Sequence, residues 1–221
     1  MVTAAESSST TSTATLNRLS VYLRCLRELQ RSGTLTISSQ ALADRFHLSS
    51  AQIRKDLAQF GEFGIRGKGY EIAPLAERLH HLLGLDRKRR LVIVGMGQLG
   101  TALAGYIHFN DDSFEVVAGF DCDPAKIGRS LRGVPVFAIA DLRRTIEETG
   151  AEIAVLTVPA AAAVECYDAL SAAGVRAVLN FAPASLPERD HVRLKNVDLR
   201  TYLEEASFLL SPERSPNDGK S

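Results

Sequence analysis

Apolar residues recur at helical spacing in the first part of the chain. Between Leu19 and Leu29 the leucines lie three or four positions apart, which predicts an amphipathic helix over residues 17–31. A serine at position 38 or 39 can cap a short second helix that runs to residue 46. Ser49, with Gln52 three residues later, forms a capping box that predicts a third helix over residues 50–60. The brief turn between the second and third helices is typical of a helix-turn-helix unit.

The pattern changes after the third helix. Glycines flank two short segments, 61–64 and 67–70, and predict a tight β-hairpin, which is followed by a helix over 74–84. From residue 91 onward, short apolar runs alternate with helix-like segments. The predicted strands are 91–94, 114–120, 134–137, 153–158, 175–179 and 192–197. One predicted helix follows the first of these strands and ends near residue 108, and three more cover 141–149, 160–173 and 199–210. This alternation predicts an α/β fold with a doubly wound, Rossmann-type parallel sheet covered on both faces.

The pattern divides the chain at the charged junction 86–90. A winged helix-turn-helix domain is predicted over 16–86, a Rossmann-type domain over 87–198 and a C-terminal helix over 199–211. Residues 1–15 and 212–221 lack an apolar pattern and are predicted to be disordered tails.

Charge is informative only when the chain is divided. The whole chain has 26 basic and 26 acidic residues, but residues 1–90 hold 14 basic and 8 acidic ones, whereas residues 91–221 hold 12 and 18. A basic half favours a domain that meets a polyanion. Apolar residues make up 45% of the chain and charged residues 24%, which excludes collagen-like and acidic disordered proteins. The apolar stretches fall short of the roughly 20 residues of a membrane helix, so no membrane partner is predicted.

The cysteines and the N-terminus indicate the compartment. The chain has three widely spaced cysteines, Cys25, Cys122 and Cys166, whose spacing argues against a zinc site or a disulfide framework. An odd number of cysteines fits a reducing, cytoplasmic compartment. The Ser- and Thr-rich N-terminus carries no basic-then-apolar secretion signal.

A glycine-rich turn follows the first strand of the second domain. The segment Gly95-Met96-Gly97-Gln98-Leu99-Gly100 has G-x-G-x-x-G spacing and opens a helix. In such a turn the first glycine permits the bend, the second admits a pyrophosphate, and the third lets the helix pack on the strand. Asp121 lies 21 residues after Gly100, where a carboxylate binds a ribose diol and repels a 2′-phosphate. The spacing predicts NAD(H) as the ligand, with a purely structural turn or a coenzyme A site as alternatives.

Two further strand ends are expected at the same crevice. They are Thr157-Val158-Pro159 and Asn180-Phe181-Ala182-Pro183, whose backbone groups are predicted to contact ribose and nicotinamide unless the prolines only terminate the strands. Hydride transfer usually needs a proton donor or acceptor beside the nicotinamide. The histidine beyond position 108, His191, lies in a polar turn, which favours a binding protein over a dehydrogenase.

The third helix has one apolar and one polar face. Ile53, Leu57 and Phe60 share the face predicted to be buried. The residues predicted to contact bases and phosphates in a DNA major groove are Ser49, Ser50, Gln52, Arg54, Lys55 and Gln59. Arg66 and Lys68 fall on the hairpin, at the position of a wing. The alternative is an ordinary helical bundle with a solvated polar face.

From about residue 15 to residue 210 the chain resembles the redox-sensing transcriptional repressor Rex family. The most specific likeness is Ile53-Arg54-Lys55-Asp56-Leu57 followed by Phe60-Gly61-Glu62-Phe63-Gly64. The other matching segments are Gly67-Lys68-Gly69-Tyr70, the glycine-rich turn, Phe120-Asp121-Cys122-Asp123-Pro124, the two strand ends above and Asn196-Val197-Asp198-Leu199. Gln98 and Ser20 depart from the Asn and Pro that are common at those positions.

The resemblance implies a homodimer that exchanges its C-terminal helix and represses respiratory and fermentative genes. It implies that a winged helix binds double-stranded operator DNA and that NADH releases it. It also implies that Tyr106 lies near the nicotinamide and that Arg24 and Asp198 are switch partners. Cys122, Asp123 and Lys126, which follow Asp121 in the chain, complete the predicted NAD(H) site.

Two other classes of function stay open. One is an NAD-dependent oxidoreductase with an added helical domain, which a substrate-dependent change in NADH absorbance would support. The other is a coenzyme A-binding subunit of a larger enzyme, which tight coenzyme A binding and weak NADH binding would support.

Overall fold

The chain folds into two compact units. The computed structural model describes residues 12–61, 63–65, 67–110 and 113–210, and the units divide between Arg87 and Lys88, inside the charged junction. Most of the two predicted tails, residues 1–11 and 212–221, lies outside the described residues. Within the described part of the chain, no helix is both long and apolar enough to cross a membrane.

The first unit is a helix-turn-helix with a small antiparallel sheet. Its helices are α1 (Thr13–Arg31), α2 (Ser39–Phe46), α3 (Ser50–Ala58) and α4 (Ile72–Leu82). Its strands are β1 (Thr36–Ile37), β2 (Gly64–Ile65) and β3 (Gly69–Glu71), in the order β1-β3-β2. The hairpin of β2 and β3 is the predicted wing, whereas β1 is a strand that the sequence pattern does not reveal.

The helix boundaries follow from capping. The Ser12 side chain accepts a hydrogen bond from the amide of Thr15 at 3.1 Å, so α1 begins at Thr13 and the predicted boundary of the N-terminal tail at residue 15 is wrong. Thr15 is buried, although its type does not mark it as a core residue. The amide of Phe60 bonds to the carbonyl of Leu57, so the last turn tightens and α3 ends two residues earlier than predicted.

One apolar core holds the first unit together. Leu26 and Leu29 of α1 are fully buried with Leu79 of α4, and Leu42 and Ile53 join them from α2 and α3. Burial of each such side chain contributes about 1.5–3 kcal/mol relative to leaving it in water. The core therefore fixes α3 against the other helices and leaves its opposite face outside.

The second unit is a seven-stranded sheet flanked by helices. Its strands are β4 (Arg89–Val94), β5 (Phe114–Asp121), β6 (Ser130–Leu131), β7 (Val134–Ala138), β8 (Ile153–Leu156), β9 (Ala177–Asn180) and β10 (Arg193–Asn196). Its helices are α5 (Gln98–Asn110), α6 (Leu142–Thr149), α7 (Ala160–Ala172) and α8 (Leu199–Leu210). The sheet order is β10-β9-β8-β4-β5-β7-β6, parallel except for the edge strand β6.

The central strand β4 is buried on both faces. Val92 and Val94 pack with residues of α6 and α7, whereas Leu91 and Ile93 pack in a second core that includes Ala104 of α5. Such burial explains the apolar run that predicts this strand. The chain order reverses between β5 and β8 on either side of β4, which is where doubly wound sheets bind ligands. The predicted Rossmann-type fold is confirmed.

The C-terminal helix α8 has no buried residue in the structure. Its large apolar side chains are exposed to between 60% and 86%: Leu199, Tyr202, Leu203, Phe208, Leu209 and Leu210. An exposed apolar face of this size is typical of an interaction site.

Candidate dinucleotide and DNA sites

A cavity of about 570 Å³ opens beyond the carboxyl ends of β4, β5 and β8. The predicted residues that line it are Gly95, Gly97, Leu99, Asp121, Cys122, Lys126, Thr157, Val158, Pro159, Phe181 and Pro183. Ile139, Ala162 and Cys166 complete its wall and were not predicted from the sequence. They come from segments whose apolar pattern marks them only as core, so no local signal distinguishes them.

The three glycines of the turn differ in the space around them. Gly95 has a φ of +97°, and a Cβ there would lie 2.7 Å from the carbonyl oxygen of Thr157. A Cβ on Gly100 would lie 2.0 Å from the carbonyl oxygen of Gly95, whereas one on Gly97 would meet no atom within 4 Å. The first and third glycines are therefore needed by the fold, and the second keeps space open for a ligand that approaches the backbone.

The start of α5 faces the space beside Gly97. The helix begins at Gln98, and the amide of Thr101 bonds to the carbonyl of Gly97 at 3.0 Å. Unpaired amide groups and the helix dipole at such an end attract a pyrophosphate. The turn and the helix therefore fit the phosphates of a dinucleotide.

Asp121 is a nearly buried carboxylate at the end of β5. It accepts hydrogen bonds from the amide of Asp123 and from the Lys126 ammonium, both at 2.9 Å. Burial raises the pKa of Asp121, but the Asp123 amide and Lys126 outweigh that effect and lower the pKa below its usual value. The group is therefore an anion at neutral pH, which suits hydrogen bonding to a ribose diol.

Two predicted residues, Thr157 and Asn180, brace the backbone at the strand ends. The Thr157 hydroxyl donates to the carbonyl of Gly95 at 2.7 Å and lies 3.1 Å from that of Val94, which braces the glycine-rich turn. The Asn180 amide accepts from the amide of Ala182 and donates to Ala184 and Asn196, so it holds the loop after β9. Neither side chain was predicted from the sequence to have this bracing role.

The Met96 side chain points away from the cavity. It is 1% exposed and packs against Gly119, so closely that a Cβ added to Gly119 would lie 2.6 Å from the Met96 sulfur. Only the backbone of Met96 can therefore face a ligand, and its predicted contact with the dinucleotide stays a prediction. Gln98 is exposed at the start of α5.

A second cavity of about 680 Å³ adjoins the first and shares Leu99, Phe181 and Pro183 with it. It lies beyond the carboxyl ends of β9 and β10 and extends to Asp198 and Arg200 at the start of α8. The two cavities together follow the edge of the sheet along which a doubly wound fold binds a dinucleotide.

The predicted switch residues lie on exposed surfaces. Arg24 is exposed on α1 in the first unit. Tyr106 is 67% exposed on α5 of the second unit. Asp198 is exposed and accepts a hydrogen bond from the amide of Arg200 at 2.9 Å, so it caps α8. Their roles as switch partners stay predictions.

The outer face of α3 carries the predicted DNA contacts. Ser49 caps the helix by accepting a hydrogen bond from the amide of Gln52 at 3.3 Å. Arg54 and Lys55 are exposed, and Arg54 donates to the Ser39 hydroxyl at the start of α2, at 2.9 Å. Gln59 is exposed and Ser50 is half-buried. We refer to α3 as the recognition helix.

A buried acid on the recognition helix was missed from the sequence. Asp56 is 0% exposed and accepts hydrogen bonds from Arg18, Tyr22 and Gln52. The predicted capping box is therefore only half formed, because the Gln52 side chain bonds to Asp56. The arginine lies 38 residues away in sequence, so no local pattern reveals the pair.

The wing carries a further predicted DNA contact, Lys68. Lys68 lies 3.0 Å from a carboxylate oxygen of Glu71 in an exposed ion pair, and Ile65 is about half exposed. A groove of about 420 Å³ is lined by Arg54 and by residues of both wing strands. Arg66, also predicted to contact DNA, lies outside the described residues.

His191, the histidine beyond position 108, lies outside both cavities. Its ring is exposed and hydrogen-bonded to the Ser171 hydroxyl at 2.8 Å. Neither residue lines either of the two cavities.

Comparisons with known proteins match both units. A family described as a putative DNA-binding protein N-terminus matches residues 10–58, and one described as a CoA binding domain matches residues 86–184. A redox-sensing transcriptional repressor Rex from Syntrophomonas wolfei is 46% identical over 198 residues, covering 90% of this chain and 94% of its own. The Rex of Thermus thermophilus is 45% identical over 201 residues, with coverage of 90% and 94%.

Solved structures agree with these relatives. The structure of RSP with β-NAD+ and operator DNA is similar with a TM-score of 0.85 and 35% identity, covering 91% of this chain and 93% of RSP. RSP, a Rex-family repressor, has also been solved with β-NADH, at a TM-score of 0.81, 33% identity and coverage of 91% and 95%.

Proposed function

This chain belongs to the redox-sensing transcriptional repressor Rex family, and from that premise we propose that it binds operator DNA when NADH is scarce relative to NAD+ and releases it when NADH binds. Its targets are genes of respiration and fermentation. The observation that carries the proposal is the presence, in one chain, of an exposed basic recognition helix and a glycine-rich cavity with an acid at the end of β5.

The cavity suits a nicotinamide adenine dinucleotide. The open space at Gly97 and the start of α5 would hold the pyrophosphate, and Asp121 would bind the adenosine ribose. The carboxylate disfavours the 2′-phosphate of NADP(H). The adjoining cavity next to Phe181 and Pro183 is the natural place for the nicotinamide half.

The two oxidation states of the ligand differ by one hydride and one charge. A neutral dihydronicotinamide is cheaper to enclose among apolar side chains than a cationic ring, which must give up water. A ligand shifts a conformational equilibrium only by its differential affinity for the two states, and a nearly complete shift takes about 5.5 kcal/mol, or roughly 10⁴-fold. We therefore expect a closed state to bind the reduced form more tightly.

In a homodimer, closure around the ligand can change how the two recognition helices meet the DNA. The exposed apolar face of α8 fits a second copy of this chain, and the Rex resemblance favours exchange of that helix. Two recognition helices must be spaced to match half-sites about 34–36 Å apart. A change in their separation on closure would release the operator.

The proposed role is that of a regulator in the cytoplasm and not of an enzyme. The relatives are transcriptional repressors, and His191 is placed outside the cavities. Arg24, Tyr106 and Asp198 are the proposed switch residues, by resemblance. Coenzyme A is the second candidate ligand, because the family matched by residues 86–184 carries that description.

A mobility-shift comparison tests the proposal. The full-length protein first selects its operator DNA, and the two are then mixed in the presence of NAD+, NADH, NADPH or coenzyme A. We expect NADH alone to release the DNA at low concentration. Release by coenzyme A and not by NADH would favour the second candidate, and consumption of NADH with an added substrate would favour an oxidoreductase.

A further inference from the structure

Asp56 is a fully buried carboxylate in a helix whose neighbouring positions carry exposed cations. Arg18 donates to it twice, from Nε at 2.6 Å and from Nη2 at 2.8 Å. The Tyr22 hydroxyl donates at 2.9 Å and the Gln52 amide at 2.7 Å. Each carboxylate oxygen therefore accepts two hydrogen bonds, which fills the capacity of the group.

The network fixes the ionisation of Asp56. The Arg18 guanidinium holds the pKa of Asp56 below its usual value, despite the burial that raises it. Burial and the bond to Asp56 raise the pKa of Tyr22, so the phenol keeps its proton. Asp56 is thus an anion that only accepts hydrogen bonds.

This acceptor fixes the orientation of the Gln52 amide. Only the NH₂ end of the amide can face an ionised carboxylate, so its carbonyl oxygen must face the other way. Gln52 is half-buried and lies in the first turn of the recognition helix, three residues before the exposed Lys55. Residues three apart share a helix face, and the first turn is where helix-turn-helix proteins reach base edges.

We propose that Gln52 is a base-reading residue and that the buried Asp56 sets which base it reads. The inference rests on the proposed DNA-binding function. With the N–H trans to the carbonyl oxygen bonded to Asp56, the remaining edge of the amide offers the carbonyl oxygen and, beside it, the second N–H. That pair matches the N6 amine and N7 of adenine. Guanine and thymine present carbonyl oxygens to the Gln52 oxygen and are disfavoured, whereas cytosine can donate one hydrogen bond.

The chain supplies a matched control on α2. Gln40 donates to Asp44 across the same four-residue spacing and at the same distance, 2.7 Å, but both lie on the surface of the unit. A change at Gln40 therefore removes an equivalent pair without touching the buried network.

Binding of full-length protein to DNA provides the main test. The wild-type chain selects an operator from random duplexes, and each half-site position is then replaced by all four bases and measured by fluorescence anisotropy with NAD+. We expect one adenine whose replacement by guanine or thymine weakens wild-type binding by about 5- to 150-fold. Gln52→Leu should bring the four bases at that position within about threefold, and Gln40→Leu should keep the preference. A Gln52→Leu variant with wild-type preferences at every position would overturn the proposal.

A base analogue tests the pairing itself. Purine, which lacks the 6-amino group of adenine, should weaken wild-type binding about as much as Gln52→Leu does. The same analogue should have little further effect on Gln52→Leu. Fully additive effects of the analogue and the substitution would show that the amide and the amine do not meet.

The role of Asp56 as a positioning residue has its own readout. Asp56→Asn should turn the base preference at the position read by Gln52 away from adenine towards guanine or thymine, and circular dichroism checks that the variant is folded. An unchanged preference in a folded variant would contradict the positioning role. In the wild-type protein, the side-chain NH₂ protons of Gln52 should exchange with solvent more slowly than those of Gln40. Equal exchange rates would contradict the fixed orientation even if Asp56→Asn does not fold.

These outcomes separate the inference from the function on which it rests. A wild-type chain that selects no operator contradicts the proposed DNA-binding function. A wild-type chain that selects an operator, with base preferences independent of Gln52, contradicts only the role of Gln52.

Discussion

Gly97→Ala and Gly100→Ala place the same methyl group at two points of one turn, with opposite expected results. At Gly97 the added Cβ meets no atom within 4 Å, so the folded protein without ligand should accept it. At Gly100 the Cβ would lie 2.0 Å from a backbone oxygen of Gly95 and 2.9 Å from the Thr157 hydroxyl. The first change should affect the ligand and the second should affect the fold.

The expected sizes follow from this geometry. Overpacking typically lowers the free energy of unfolding by about 1–3 kcal/mol. Gly100→Ala should cost about 3 kcal/mol, because the backbone must move by more than about 1 Å to make room for the methyl group. At about 2–4 °C per kcal/mol, thermal unfolding of the second unit should occur roughly 6–12 °C lower. Gly97→Ala should unfold within about 2 °C of the wild type. Its methyl group takes the space of the pyrophosphate, so NADH should bind about 5- to 150-fold more weakly.

Two assays separate these effects. Differential scanning fluorimetry without nucleotide measures unfolding, and titration of NADH fluorescence measures binding. Wild-type NADH affinity in Gly97→Ala would refute the placement of the pyrophosphate at the second glycine. An unchanged unfolding temperature in Gly100→Ala would refute the close approach of α5 to the turn.

Three further predictions address DNA binding, acid stability and assembly. Lys55→Ala should weaken operator binding and reduce the slope of log affinity against log salt by about 0.9. The control Lys195→Ala on β10 should change neither quantity. Equal slopes for Lys55→Ala and the wild type would show that Lys55 does not contact DNA. The lowered pKa of Asp56 means that its stabilising effect is present above the pKa of the unfolded carboxyl group, about 3.9, and is lost as the pH falls through the lower folded value. Acid unfolding followed by circular dichroism should therefore lose part of its steepness below about pH 4 in Asp56→Asn, and an identical acid transition would contradict this. Leu203→Asp in α8 should convert the dimer to a monomer in light scattering, and a dimer of unchanged stability would contradict the proposed interface.

The dinucleotide cavity is largely predictable because its chemistry is local. The glycine spacing, the strand before it and Asp121 at the next strand end all follow short-range rules, and the structure brings them to one cavity. The DNA-facing side of the recognition helix is predictable for the same reason, since capping by Ser49 and the apolar spacing orient it.

The Asp56 network is the part that sequence could not supply. A helical wheel assigns the buried face from apolar residues, so a carboxylate there looks like part of the solvated face. Its arginine partner comes from α1, and only the tertiary fold brings the two within 2.6 Å. Asp56 also accepts a hydrogen bond from the Gln52 side chain, which takes that side chain away from the capping role that the sequence predicts.

Short or polar elements were missed for a different reason. The strands β1 and β6 have two residues each, too few to show alternation. The first turn of α1 consists of Ser, Thr and Ala, which resembles the tail before it. Thr157 bonds to a carbonyl 63 residues away and Asn180 to the Asn196 side chain 16 residues away, and spacing alone cannot indicate those partners.

The most direct test of redox sensing keeps the total nucleotide constant and varies only the ratio of NADH to NAD+. Full-length protein is held with fluorescent operator DNA, and anisotropy is recorded as NAD+ is replaced by NADH. We expect full binding in NAD+ and progressive release as the proportion of NADH rises. Operator affinity that does not change with NADH, or release by NAD+ instead, would contradict it.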